Sequence, residues 1–286
     1  MTVTRPLESS ELSNQLMIQH IDIAVNLLSS SLIEKSSDII EQAAKHHVSP
    51  LIVIGSDLGE SSQAITLCQQ YPQQLFCTAG VHPHHASSWT NTSANRLKQL
   101  ALEETVVAIG ECGLDYNRDF SPRDQQRQAF AAQLEIACEL NMPVYMHCRD
   151  AHDDFIAIFN QYKANLPKAV LHCFTGNKSE LDACLAADLY IGITGWICDE
   201  RRGQDLAELV KYIPNNRLMA ETDSPYLLPR SMRPKPKSSK NLPLYLPYIV
   251  ESIAKLRDQD YAVVAQHCYQ NSSTFFNLPS NITGKK

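Results

Sequence analysis

The chain has 286 residues, 44% of them apolar and 20% charged, the composition of a folded soluble protein and not of a disordered chain or a coiled coil. Its 25 Lys and Arg against 31 Asp and Glu give a formal charge of −6, so no global field draws it to nucleic acid, and a polyanionic partner needs a local basic patch or a metal. No apolar run approaches the ~18 residues of a membrane span and Met1 to Leu16 carries no signal-peptide core, so no membrane partner and a cytoplasmic location are expected. The nine cysteines are odd in number and form no Cys-x-x-Cys pair, which reads as reduced thiols.

Residues 1–18 read as a flexible extension, with Met17 as an alternative start. From 19 to 278, short β-branched runs alternate with segments of helical period. The runs end at Asn26, Gly55, Val81, Gly110, His147, His172, Ile193 and Thr222. Their mean spacing of about 28 residues is close to the ~30 of one strand-plus-helix unit. Between the fourth and fifth runs, Ser121-Pro122-Arg123-Asp124 predicts a helix start, with Ser121 as the cap. Phe130, Leu134 and Ala137 then mark its buried face, and Asn141 with Pro143 its end. Eight strands buried on both faces predict a single α/β domain, a (β/α)8 TIM barrel, in preference to an open doubly wound sheet. After the eighth run comes a basic, proline-rich loop, Arg230 to Lys240, and residues 279–286 read as a disordered tail.

In such a barrel the reacting groups gather where the strands end, because the loops there share one mouth. Those ends carry Asp22 and Asn26, His82 and His84, Glu111, His147, His172 and Asp223. A lone histidine there is more often structural, but His147 and His172 stand at the same offset on consecutive strands, which favours a metal site. Glu111 lies between Gly110 and Gly113, which allow close approach to its backbone; a loop salt bridge is the alternative. Asp223 could cap the turn before Pro225, and of Asp223 and Glu221 one is structural. The His82–His85 run suits metal, phosphate or a solvated turn, with a phosphate or substrate contact preferred. Arg149 could clamp a phosphate or sit in a surface salt bridge. The basic loop is either solvated or an electrostatic funnel for an anionic polymer. Glycine-rich nucleotide loops, a nucleophile elbow and His-Glu-x-x-His are absent from the sequence, which leaves metal-assisted hydrolysis or isomerisation.

The segments GVHPH, AIGECGLDY, PVYMHCRDA, VLHCFTG, YIGITGWICDERR and ETDSPYLLPR resemble, in order, the motifs of the TatD family of metal-dependent nucleases, from about Ile21 to Phe276. The resemblance implies an amidohydrolase-like barrel and metal-dependent 3′–5′ exonuclease action on single-stranded DNA and RNA, with magnesium as the usual cofactor and a role in DNA repair. Carried onto this chain, it makes Glu111, His147 and His172 metal ligands and Asp223 a ligand or general base. Most of the family has His-x-His on the first strand, where this chain has Ala24 and Asn26. With two imidazole donors gone, the site should hold exchangeable Mg2+ or Mn2+ better than zinc, and hold it less firmly.

The expected chemistry is hydrolysis of a terminal phosphodiester. Asp223 takes a proton from water, and His82, His84, Arg149 and Asn26 contact substrate. Tyr116, Trp196 and Tyr226 either stack on bases or pack in loops. A monomer is expected. Two rival readings remain at this level, a hydrolase of small esters, amides or aminoacyl-tRNA, and a non-catalytic barrel that binds nucleic acid.

Overall fold

Eight parallel strands pair in sequence order: β1 (His20–Val25), β2 (Val48–Val53), β3 (Leu75–Ala79), β4 (Val106–Asp115), β5 (Val144–Arg149), β6 (Ala169–Leu171), β7 (Tyr190–Ile193) and β8 (Leu218–Ala220). The computed structural model describes residues 18–279, so the expected extension up to residue 17 and the tail from residue 280 lie outside the described residues. The helices α1 (Ser36–Lys45), α2 (Leu58–Gln70), α3 (Ser93–Ala101), α4 (Arg123–Leu140), α5 (His152–Tyr162), α6 (Lys178–Ala186) and α7 (Gln204–Leu209) fill the crossovers, and α8 (Leu246–Arg257) and α9 (Tyr261–Phe275) follow the last strand.

The ring closes just past the short eighth strand. Val25 bridges Ser224 in parallel, and the Asn26 amide donates to the Ser224 carbonyl at 2.8 Å. Asp22, fully buried on β1, accepts from the Thr222 backbone N–H at 2.9 Å and from its Oγ1 at 2.5 Å. The seam is therefore held by a carboxyl group as well as by backbone pairing.

Two apolar layers explain why the strands read as continuous hydrophobic runs. One packs the outer strand faces, such as Val25, Val53, Ile109 and Met146, against Phe130, Phe155, Leu181 and Ile249 of the helices. The other gathers Ile23, Ile52, Phe76, Ala108, Tyr145, Val170 and Met219 with Phe275, Phe276 and Leu278 from the end of α9. That second layer draws on strands all round the ring and fills it from below.

One predicted detail fails. Helix α4 begins at Arg123, and no side chain caps it; Ser121 instead accepts from the Ser87 N–H at 3.0 Å and donates to the His84 carbonyl at 2.9 Å. Ser121 is fully buried under the loop after β3, so tertiary bonding has claimed the hydroxyl that the local pattern assigns to the helix. The rest of the pattern holds: Phe130, Leu134 and Ala137 are buried, and Asn141 ends the helix in the left-handed conformation at φ 52°.

Candidate metal centre at the barrel mouth

Glu111 lies inside β4, where the pairing with β5 slips between Ile109 and Cys112. The two glycines beside it make the slip possible. Both have φ near +135°, and a Cβ on Gly110 or Gly113 would lie about 2 Å from the carbonyl oxygen of Tyr145 or His147. What approaches the backbone here is the neighbouring strand.

Three imidazoles converge on one oxygen of this buried carboxylate. Glu111 Oε1 is 2.7 Å from His172 Nε2, 3.2 Å from His147 Nδ1 and 3.4 Å from His82 Nε2. Ligand atoms of His82, Glu111 and His147 all lie within 4.8 Å of one another and form a metal-binding triad. Among the described residues two further imidazole nitrogens here, His147 Nε2 and His172 Nδ1, are buried without a hydrogen bond, with carboxylate oxygens of Asp115 and Glu221 at 3.5 and 3.6 Å. Carboxylate and imidazole donors in this number fit a divalent cation. The triad shares Glu111 and His147 with the expected ligands and adds His82, while the expected His172 stands 2.7 Å from the same carboxylate oxygen. The backbone N–H of His84 donates to His82 Nδ1 at 3.1 Å, which puts the proton of a neutral His82 on Nε2. Ligation through Nε2 therefore costs that contact, whereas donation to a phosphate oxygen keeps it.

Burial works to raise the Glu111 pKa, but the charges of His172 and His82 and the hydrogen bonds from His147 and His172 hold it well below the carboxylate range. Burial alone would lower His147 and His172. Asp115 and Glu111 raise the first, and Glu111 and Glu221 raise the second well above its ordinary value. His82, more buried than compensated, falls to about 4. Asp115, which the sequence reading overlooks, sits at the end of β4, 2.7 Å from His84 Nε2 and 3.5 Å from His147 Nε2. It orients both rings. Its signal was present, a carboxylate four residues past Glu111 on the same strand.

The β8 side is built differently. Glu221 is fully buried and accepts from Tyr145 Oη at 3.0 Å and from the Cys173 N–H at 2.5 Å, so it is the structural member of its pair. Asp223 stands at φ 55°, a conformation that Asp tolerates, and its Oδ1 accepts from Asn26 Nδ2 at 3.0 Å. The same Asn26 nitrogen donates to the Ser224 carbonyl at 3.0 Å. With both amide hydrogens committed, Asn26 positions Asp223, and only its Oδ1 remains for the expected substrate contact. Burial raises Asp223 to about 7, against the pull of His172.

The outer contacts are mixed. Arg149 is exposed at the end of β5, in register with Asp115, and among the described residues it forms no salt bridge. Tyr116 is occupied, its hydroxyl bonded to Asp154 at 2.5 Å and its ring covered by Arg123. Trp196 lies under Arg202 and donates to that residue's carbonyl. Tyr226 is 57% exposed. Phe120, which the sequence reading also overlooks, is 66% exposed and packs edge-on against His84.

The family described as TatD related DNase matches residues 21–277. A protein of Pectobacterium atrosepticum named 3′-5′ ssDNA/RNA exonuclease TatD is 51% identical over 257 residues, covering 90% of this chain and 99% of that protein. One of the same name from Erwinia billingiae is 51% identical over 259 residues, covering 91% and 99%. Among solved structures, the TatD homologue YjjV from Escherichia coli superposes with a TM-score of 0.82 at 24% identity, covering 91% of this chain and 98% of that one. A TatD family hydrolase from Entamoeba histolytica gives 0.81 at 24%, covering 90% and 98%. The barrel is thus the fold of these hydrolases, and with half its positions shared across nearly the whole length of the exonucleases, the chain belongs to the TatD related DNase family.

Proposed function

We infer that the protein is a metal-dependent 3′–5′ exonuclease that hydrolyses phosphodiester bonds of single-stranded DNA and RNA. The observation that carries this reading is the convergence of three imidazoles on the Glu111 carboxylate at the mouth of a barrel shared with TatD exonucleases. Glu111 and His147, with His172 and His82 on the same carboxylate oxygen, would hold the cation. A divalent ion bound there supplies Lewis-acid polarisation of a phosphoryl oxygen and lowers the pKa of water. We take Mg2+ as the working ion and Mn2+ as the next choice, because β1 brings Ala24 and Asn26 where an imidazole pair would favour zinc.

Asp223, positioned by Asn26, accepts the proton of the attacking water. Asp115 holds the His84 and His147 rings in place. Arg149, charged and unpaired among the described residues, steadies the phosphate as charge builds on it. We further read the protein as a cytoplasmic monomer whose trimming of damaged 3′ ends serves DNA repair.

The test uses 5′-labelled single-stranded DNA, RNA and duplex with EDTA or with added Mg2+ or Mn2+. Stepwise shortening of the single strands from the 3′ end, abolished by EDTA and restored by Mg2+, is the expected result. Hydrolysis of small esters with no shortening of strands would remove the nuclease reading and favour the small-molecule rival.

A further inference from the structure

The loops after β7 and β8 form a second feature beside the centre, on the face where many barrels bind phosphate. The segment from residue 230 to 240 carries five Lys and Arg and no acid, within a chain of net charge −6. It is anchored next to Asp223. On its return, Asn241 donates from Nδ2 to the Thr222 carbonyl at 2.9 Å, and its N–H donates to the Pro225 carbonyl at 2.9 Å. The residues that lead into it abut the β7 loop, since a Cβ on Gly195 would lie 1.9 Å from the Leu227 carbonyl oxygen.

A cavity of about 380 Å3 is lined by Arg230, Arg233, Lys235, Lys237 and Ser238 of the loop after β8 and by Glu200 of the loop after β7. Among the described residues, none of these four cations is in a salt bridge. The neighbouring Arg201 and Arg202, by contrast, share an ion pair with Asp199. Arg233 braces the loop by donating to the Arg230 and Met232 carbonyls, which leaves Arg230, Lys235 and Lys237 as the cations that are free to bind. Like charges held together around a concave wall repel one another, and a bound anion relieves that repulsion.

We propose that this cavity is a second phosphate subsite, which holds an internal phosphate of the strand whose 3′ end lies at Glu111 and Asp223. The proposal rests on the exonuclease reading. It adds that the strand is gripped at two points, so that the reacting end is delivered at a raised local concentration.

The double variant Lys235→Ala, Lys237→Ala and the single variant Glu200→Gln test it, through strand affinity in EDTA at several salt concentrations and through kinetics with metal. For the lysine variant KM for a long single strand rises about tenfold with kcat unchanged, and the salt slope of binding flattens by about 0.7 for each phosphate that is no longer neutralised. Glu200→Gln moves affinity the other way, which a merely structural role would not do. The p-nitrophenyl ester of thymidine 5′-phosphate, a substrate with one phosphodiester, is hydrolysed equally by all three proteins. Unchanged strand affinity and salt slope in both variants, with the parent still shortening strands, would overturn the subsite and leave the nuclease standing. An equal loss on the single diester would overturn it too, by placing the cations in the chemical site. A parent inert toward strands would sink the nuclease reading, and the binding measurement would still decide whether the cavity holds phosphates.

Discussion

The two sides of the barrel mouth both take carboxyl groups out of water and treat them in opposite ways. On the β3 to β6 side, imidazoles surround Glu111 and Asp115, and both carboxyls are held below their ordinary pKa despite the cost of burial. On the seam between β8 and β1, the partners are neutral donors from Thr222 and Asn26, and burial raises Asp22 to about 8 and Asp223 to about 7. Burial is thus common to both, and the neighbours decide the sign. One side is a fixed negative centre among nitrogen donors, suited to a cation; the other holds carboxyls that can carry a proton near neutrality.

The largest blow to this contrast should come from Glu111→Gln, which removes the charge that three imidazoles share. Strand shortening should fall to the level seen with EDTA, and calorimetric titration should show metal affinity reduced more than ~100-fold, beyond what loss of an outer hydrogen-bond partner costs. Retained metal affinity would mean that the nitrogens alone form the site.

Asp223→Asn strikes the other side. It should lower kcat by about 10² to 10⁴ while metal and strand binding, read by calorimetry and anisotropy, stay near the parent values. If metal binding falls with it, Asp223 is a ligand and the division of labour is wrong.

His20 sharpens the rule about neighbours, because it is buried like His172 but has no carboxylate partner. It bonds to Tyr261 Oη at 2.9 Å, and burial, aided by His47, lowers it to about 4. Below its unfolded value of 6.5 the unfolded chain takes up a proton that the folded protein refuses until about pH 4. Stability should therefore fall as the pH drops across that window, by up to roughly 3 kcal/mol. Urea unfolding at several pH values should show a shallower decline for His20→Gln, and an unchanged decline would count against the assignment.

The smallest effect is expected for Tyr145→Phe, which takes one donor from Glu221. A loss of about 1–3 kcal/mol in urea unfolding is expected, with little change in strand shortening.

Much of this was legible because barrel strands end at one face. The offsets of His147 and His172, and the acid after AIG, are enough to bring Glu111 into their company once eight strands are counted. The sequence was silent where a contact depends on loop shape. His82 reaches Glu111 through a tight turn, and no period of two or 3.6 describes it. Ser121 looked like a cap until the loop after β3 lay over it. The phosphate cavity is lined by Glu200 and Lys235, which come from separate loops, so composition reveals the charge of one loop and not the hollow beside it.

The plugged underside of the ring has a kinetic meaning. Phe275, Phe276 and Leu278 pack against the inner strand side chains, so among the described residues the way out for a released nucleotide is the door through which the polymer came in. Each turnover then forces the shortened end to back away before it can advance by one residue. On such a dead-end track, whether trimming proceeds in one long visit or many brief ones is governed by how firmly the rest of the polymer stays tethered outside.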